Sequence, residues 1–138
     1  MTDYEKQALD FLKDANAEMK IEYEKDIDGF PFDDKDTLPH RKYNVTLSCN
    51  DKQYKFPFYG SYIDWVQKKD PDEYSILASL MTYDVGEMAD FVDDFGYVIK
   101  DRKSFLRAEK AWESCKEQYN TLKSMFSEEM FERLQEIS

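Results

Sequence analysis

The chain has 138 residues, is 41% hydrophobic and 16% aromatic, and carries a net charge of −11. That length and apolar content suit one domain spanning residues 1–138 and exclude a disordered chain. The acidic balance argues against a direct nucleic-acid binder or an anionic membrane surface, both of which call for basic groups, and makes a basic protein the natural complement.

Thr2-Asp3-Tyr4-Glu5 forms a capping box, and Ala8, Leu9, Phe11, Leu12 and Ala15 follow at helical spacing, which predicts a helix over roughly residues 3–16. The period then drops to two. Met19, Ile21 and Tyr23 alternate with charged residues as in a strand with one buried face. Asp26 to Pro39 reads as an acidic loop. Glu24, Asp26, Asp28 and Gly29 imitate an EF-hand start, but Lys35 stands where the bidentate Glu belongs and Pro31 interrupts the loop, so no metal is expected. Tyr43, Val45, Leu47 and Cys49, then Tyr54, Phe56 and Phe58, alternate around the turn residues Asn50-Asp51-Lys52, the clearest hairpin in the chain. Pro57 cannot donate to a ladder and places the second strand at a sheet edge or breaks it there. Residues 60–69 read as a helical turn that offers Tyr62, Ile63, Trp65 and Val66 to the core.

Residues 70–97 read as two short helices. Asp70 caps the first, with Pro71 at its first position, and Tyr74, Leu77, Leu80 and Met81 form its apolar face. Asp84 caps the second, with Glu87 three residues on and Tyr83 stapling onto Met88. Met88, Phe91, Val92 and Phe95 form its stripe, and Gly96 closes it. From Asp70 to Ile99 there are eight acids and no Lys or Arg, so this block supplies most of the net charge. Acids favour helix starts, but a solvated face normally mixes signs. The absence of lysines marks Asp72, Glu73, Glu87, Asp90, Asp93 and Asp94 as candidate partner-binding residues.

Phe105, Ala108, Trp112, Cys115, Tyr119, Leu122 and Phe126 then form a heptad seam, read as a core helix packed on the sheet in preference to a dimeric coiled coil. Ser127 caps a last helix with Phe126 stapling onto Phe131 and Leu134 and Ile137 in its stripe. The expected architecture is α+β: an N-terminal helix, a three-stranded antiparallel sheet, then four or five helices packed on one face.

Catalytic signatures are missing from the sequence. His40, the only histidine, falls in the loop after Pro39, outside the expected core, with no Ser or Cys placed beside it. Cys49 and Cys115 fall in buried phases and read as small core residues, not nucleophiles or zinc ligands. The four glycines are isolated, so no phosphate loop and no cofactor are expected. Lys42, Lys52 and Lys55 beside Tyr54 and Tyr59 resemble an RNA-stacking sheet, but those aromatics lie in the buried phase. With no leader or long apolar run, the expected location is cytoplasmic, with reduced thiols.

Tyr43-Asn44-Val45-Thr46-Leu47, Tyr54-Lys55-Phe56-Pro57-Phe58-Tyr59-Gly60-Ser61, Tyr74-Ser75-Ile76-Leu77-Ala78, Tyr83-Asp84-Val85-Gly86, Asp90-Phe91 and Asp94-Phe95-Gly96-Tyr97 occur in that order, and the tail ends in Leu134-Gln135-Glu136-Ile137. From roughly Arg41 to Ile137 the chain resembles small acidic proteins encoded by phages and prophages. Relatives often carry Cys after the Asp-Phe pair; this chain has Val92, which weakens any catalytic-thiol idea. The resemblance implies an origin in a mobile element and action in the host bacterial cytoplasm, and carries over no catalytic residue. The resulting expectation is a non-enzymatic anti-CRISPR-type inhibitor, a monomer or weak dimer. Its acidic face would block the basic nucleic-acid channel of a CRISPR effector nuclease. The alternative is a phage accessory protein that binds a host replication or transcription protein through apolar contacts.

Overall fold

The structure, a computed structural model, describes residues 2–31, 35–80 and 86–137. Helix α1 (Asp3–Asp14) opens on the expected capping box: Thr2 accepts from the Glu5 N–H at 3.1 Å, and Glu5 accepts from the Thr2 N–H at 3.4 Å. Strands β1 (Ala17–Asp28), β2 (Pro39–Cys49) and β3 (Lys52–Tyr59) form an antiparallel sheet in the order β1-β2-β3. The register sets Met19 opposite Leu47, Ile21 opposite Val45, and Val45 opposite Phe56. Side chains alternate across a strand, so this pairing gathers the apolar set of all three strands on one face. β3 runs through Pro57 unbroken, at an edge where the strand has a single neighbour in the sheet.

Among the described residues five helices follow: α2 (Tyr62–Gln67), α3 (Glu73–Leu80), α4 (Met88–Phe95), α5 (Arg102–Met125) and α6 (Glu128–Ile137). This is the expected α+β arrangement. Helices α1, α3 and α6 pack on one another, and with the apolar face of the sheet they enclose Phe11, Val45, Leu47, Ile76, Leu77, Leu80, Leu122 and Leu134. Ser127 starts α6 by accepting from the Met130 N–H at 3.2 Å. Helix α5 reaches from α4 to β3 and α6. Among the described residues no helix is long and apolar enough to cross a membrane.

Several sequence expectations are corrected. β1 does not end near Tyr23: a bulge between Tyr23 and Lys25 shifts the register, and pairing resumes as Lys25 with Lys42, Asp26 with Arg41, Ile27 with His40 and Asp28 with Pro39. The connecting loop is therefore 29–38, and Glu24, Asp26 and Asp28 lie on a strand. Helix α2 buries none of its residues; Tyr62, Ile63 and Val66 face solvent because the short helix touches the body mainly through β2. Asp72, not Asp70, starts α3, accepting from the Ser75 N–H at 2.8 Å. The α5 seam is buried at Ala108, Cys115 and Leu122, but Phe105 at its N-terminal end is 39% exposed. Met81, Tyr83 and Asp84 lie outside the described residues.

Candidate functional site

The acidic block divides between two helices with different neighbours: α3 packs on α1 and α6, whereas α4 packs on α5. Asp70 is taken up by the sheet, where its carboxylate accepts from Tyr43 O–H at 2.9 Å and faces the Arg41 guanidinium at 3.3 Å. Asp72 holds the cap of α3, and Glu73 sits half-buried in its first turn. Both acids suit the positive end of the helix dipole, and Asp72 also satisfies an orphan backbone donor, so these two have a structural reason to be where they are.

Glu87, Asp90, Asp93 and Asp94 are differently placed. Phe91 is the buried residue of α4, its ring 4.7 Å from Phe95 and 5.5 Å from Tyr97. Trp112 on α5 donates its indole N–H to the Gly86 carbonyl at 3.0 Å and fixes the approach to α4. Gly96 ends the helix at φ 71°, a left-handed backbone that glycine adopts without strain. These anchors turn the opposite side outward, and Asp90, Asp93 and Asp94 are exposed on it, with Glu87 exposed at the N-cap. Glu87 makes no side-chain cap bond, and none of the four forms an ion pair among the described residues. Asp93 and Asp94 stand in the last turn, where carbonyl groups make the helix end negative and cations are favoured; α4 has no basic residue there. Local structure therefore gives these two acids no favourable partner and one unfavourable neighbour.

The sheet end holds a polar cluster that the sequence reading did not anticipate. His40, expected in an exposed loop, is the first residue after Pro39 in β2 and is 5% exposed. Its Nδ1 lies 2.8 Å from the Gly60 carbonyl and its Nε2 lies 2.6 Å from Asp36 Oδ2. A carbonyl oxygen only accepts, so Nδ1 donates to Gly60, while Nε2 stands at hydrogen-bond distance from the Asp36 carboxyl. Asp36 also accepts from the Leu38 N–H at 2.9 Å and the Phe30 N–H at 3.0 Å. The Leu38 bond is the largest effect; with the bonds from His40 and Phe30 it holds the Asp36 carboxyl below its ordinary value, against an opposing effect of burial that ranks second. Both histidine nitrogens are engaged internally, so His40 acts as a latch on loop 29–38 and offers no free base. The four-residue step from Asp36 to His40 is its only local sign in the sequence.

The cysteines are buried, as expected of small core side chains. Burial pushes both thiols up, Cys115 to about 11, which keeps them protonated and poorly nucleophilic. Lys42 pairs with Glu24 at 2.7 Å, Lys52 donates to the Ser124 carbonyl, and Tyr54 packs against the core, so the hairpin does not present a stacking platform. Among the described residues no group of three or more His, Cys, Asp or Glu side chains is placed to hold a metal ion.

No known family model, curated protein or solved structure matches the chain.

Proposed function

We propose that the protein is a non-enzymatic, phage-encoded inhibitor of host defence, acting in the bacterial cytoplasm. In this reading the acidic side of α4 occupies the basic nucleic-acid-binding surface of an RNA-guided nuclease. The observation that supports it is the placement of Asp90, Asp93 and Asp94: exposed, without a cation among the described residues, and in two cases against the helix dipole. Carboxylates held on a short helix present charge to a channel built for phosphates, and long-range attraction speeds encounter at low salt. Asp72 and Glu73 contribute to the same field from the start of α3.

The test is affinity capture from host lysate, followed by target cleavage with the captured effector. Inhibition that weakens steeply as salt rises, and that is lost in the Asp90→Asn, Asp93→Asn, Asp94→Asn triple variant with unchanged melting, supports the reading. Inhibition that survives both changes overturns it.

A second reading, an accessory protein docking on a host replication or transcription factor, draws support from α2. That helix leaves Tyr62, Ile63 and Val66 in solvent. Capture that is insensitive to salt and lost in Ile63→Ser, Val66→Ser would favour it.

A further inference from the structure

Charge changes sign abruptly where α4 gives way to α5. Asp70 to Ile99 holds no Lys or Arg, whereas residues 100–110 carry five bases and two acids. Of those two acids, Asp101 is spent on the cap of α5, accepting from the Ser104 N–H at 2.8 Å, and Glu109 is half-buried. Arg102 and Lys103 open a helix whose first turn holds no acid, at the end where the helix dipole favours negative charge. Lys100, Arg102, Lys103 and Lys110 are exposed, and none of them forms an ion pair among the described residues. Lys20, Arg41, Lys42 and Arg133, by contrast, each meet a carboxylate within the chain.

The same stretch exposes apolar side chains. Phe105 and Leu106 are exposed on α5, and Val98 and Ile99 are exposed in the segment that leads into it. Arg102, Phe105, Leu106 and Lys110 recur at i, i+3, i+4 and i+8, so they share one side of the helix. Ala108, fully buried, lies across the helix from Leu106. One exposed leucine is ordinary, but apolar side chains interleaved with unpaired bases along one side of a helix make a surface suited to an amphipathic segment.

The charge of this surface selects what docks on it. Bases seat carboxylates and apolar side chains seat their like, so the complement is both acidic and apolar at helical spacing. A nucleic acid would engage the bases and give Val98, Ile99 and Leu106 no role. An anionic bilayer would meet the field of the whole −11 chain, whereas a short segment meets mainly its immediate surroundings, since charges are screened over about 8 Å at physiological salt. Glu109 and Glu113 follow on the same side as Leu106 and confine the basic stretch to the start of α5.

We propose that this side of α5 docks an acidic amphipathic helix of a partner protein, its apolar stripe on Phe105 and Leu106 and its carboxylates on Arg102, Lys103 and Lys110. The surface uses none of the acids on α4, so it stands or falls apart from the proposed function.

The probe is a short synthetic peptide with leucine at helical spacing and glutamate elsewhere, and its control carries glutamine in place of every glutamate. Titration of the acidic peptide into the uniformly ¹⁵N-labelled full chain is expected to shift the backbone signals of residues 98–110 saturably, with an affinity at least tenfold above that of the glutamine peptide and falling as salt rises. Arg102→Glu, Lys103→Glu should weaken binding at least tenfold while melting holds or rises, because acids suit the first turn of a helix. Leu106→Ser, at an exposed position, should weaken it with an unchanged circular dichroism spectrum. Absence of saturable shifts, equal affinity for the glutamine peptide, or wild-type binding in both variants would overturn the assignment. Two further results would also overturn it: tighter binding to phosphatidylglycerol vesicles than to the peptide, which assigns the surface to a membrane, and self-association of the chain that both variants abolish, which assigns it to a second copy.

Discussion

The carboxylates at the sheet end and those on α4 are the same chemical group in opposite circumstances. Asp36 accepts two backbone N–H bonds and meets His40 Nε2; Asp70 meets Tyr43 and Arg41; Glu24 meets Lys42. Asp70 and Glu24 each join segments distant in sequence, and Asp36 ties its own segment to the start of β2. Among the described residues Asp90, Asp93 and Asp94 form no ion pair. Acids that a structure consumes and acids that it leaves over are thus distinguishable by their partners, although composition counts them alike.

The contrast can be broken most severely at His40. His40→Ala strands the Gly60 carbonyl and Asp36 and should lower unfolding stability by roughly 2–3 kcal/mol, measured by urea denaturation; a loss near zero would mean that the latch is ornamental. Gly29 tests the same loop through its backbone. Its φ is +83° and an added Cβ would lie 2.2 Å from the Asp36 carbonyl oxygen, so Gly29→Ala should cost about 2 kcal/mol. Acid provides a third probe. The Asp36 carboxyl titrates lower when folded than its ordinary 3.8, so its stabilisation is complete above that value and disappears as pH falls through the folded value. The wild type should therefore lose stability more steeply than Asp36→Asn below about pH 4 in acid melts. The smallest stability effect belongs to α4. Asp93→Asn and Asp94→Asn relieve repulsion at the helix end and should each stabilise by about 0.3 kcal/mol, even as binding to a basic partner is lost. Destabilisation there would show that these acids serve the fold after all.

Elements whose signals are local were legible in the sequence. The Thr2–Glu5 capping box, the alternation of the hairpin and the Gly96 terminus each depend on neighbours a few residues away, and each stands as expected. What escaped depends on chain returning from afar. The bulge at Tyr23 and Lys25 ends the local alternation while the ladder continues, which carries His40 into a strand and under a loop. Asp70 had the look of a cap, yet Arg41 and Tyr43 of β2 claim it, and the cap passes to Asp72. Within the candidate site, the density of acids was plain from the sequence. Its division into capping residues on α3 and unpaired residues on α4 required the packing of each helix. The Tyr54–Gln118 hydrogen bond between β3 and α5 was invisible, because its partners lie 64 positions apart.

The bulge in β1 has a bearing on how the chain behaves when crowded. β1 is twelve residues long and pairs only with β2, so within the sheet its outer rim presents unpaired backbone groups to any passing strand. Near its middle the bulge breaks the regular spacing of those groups, and Glu22, Glu24, Lys25 and Asp26 crowd around the break. An incoming copy cannot zip along the rim without stranding these charges and losing register. The irregularity that sets His40 in place thereby also guards the open side of the sheet against growth by strand addition.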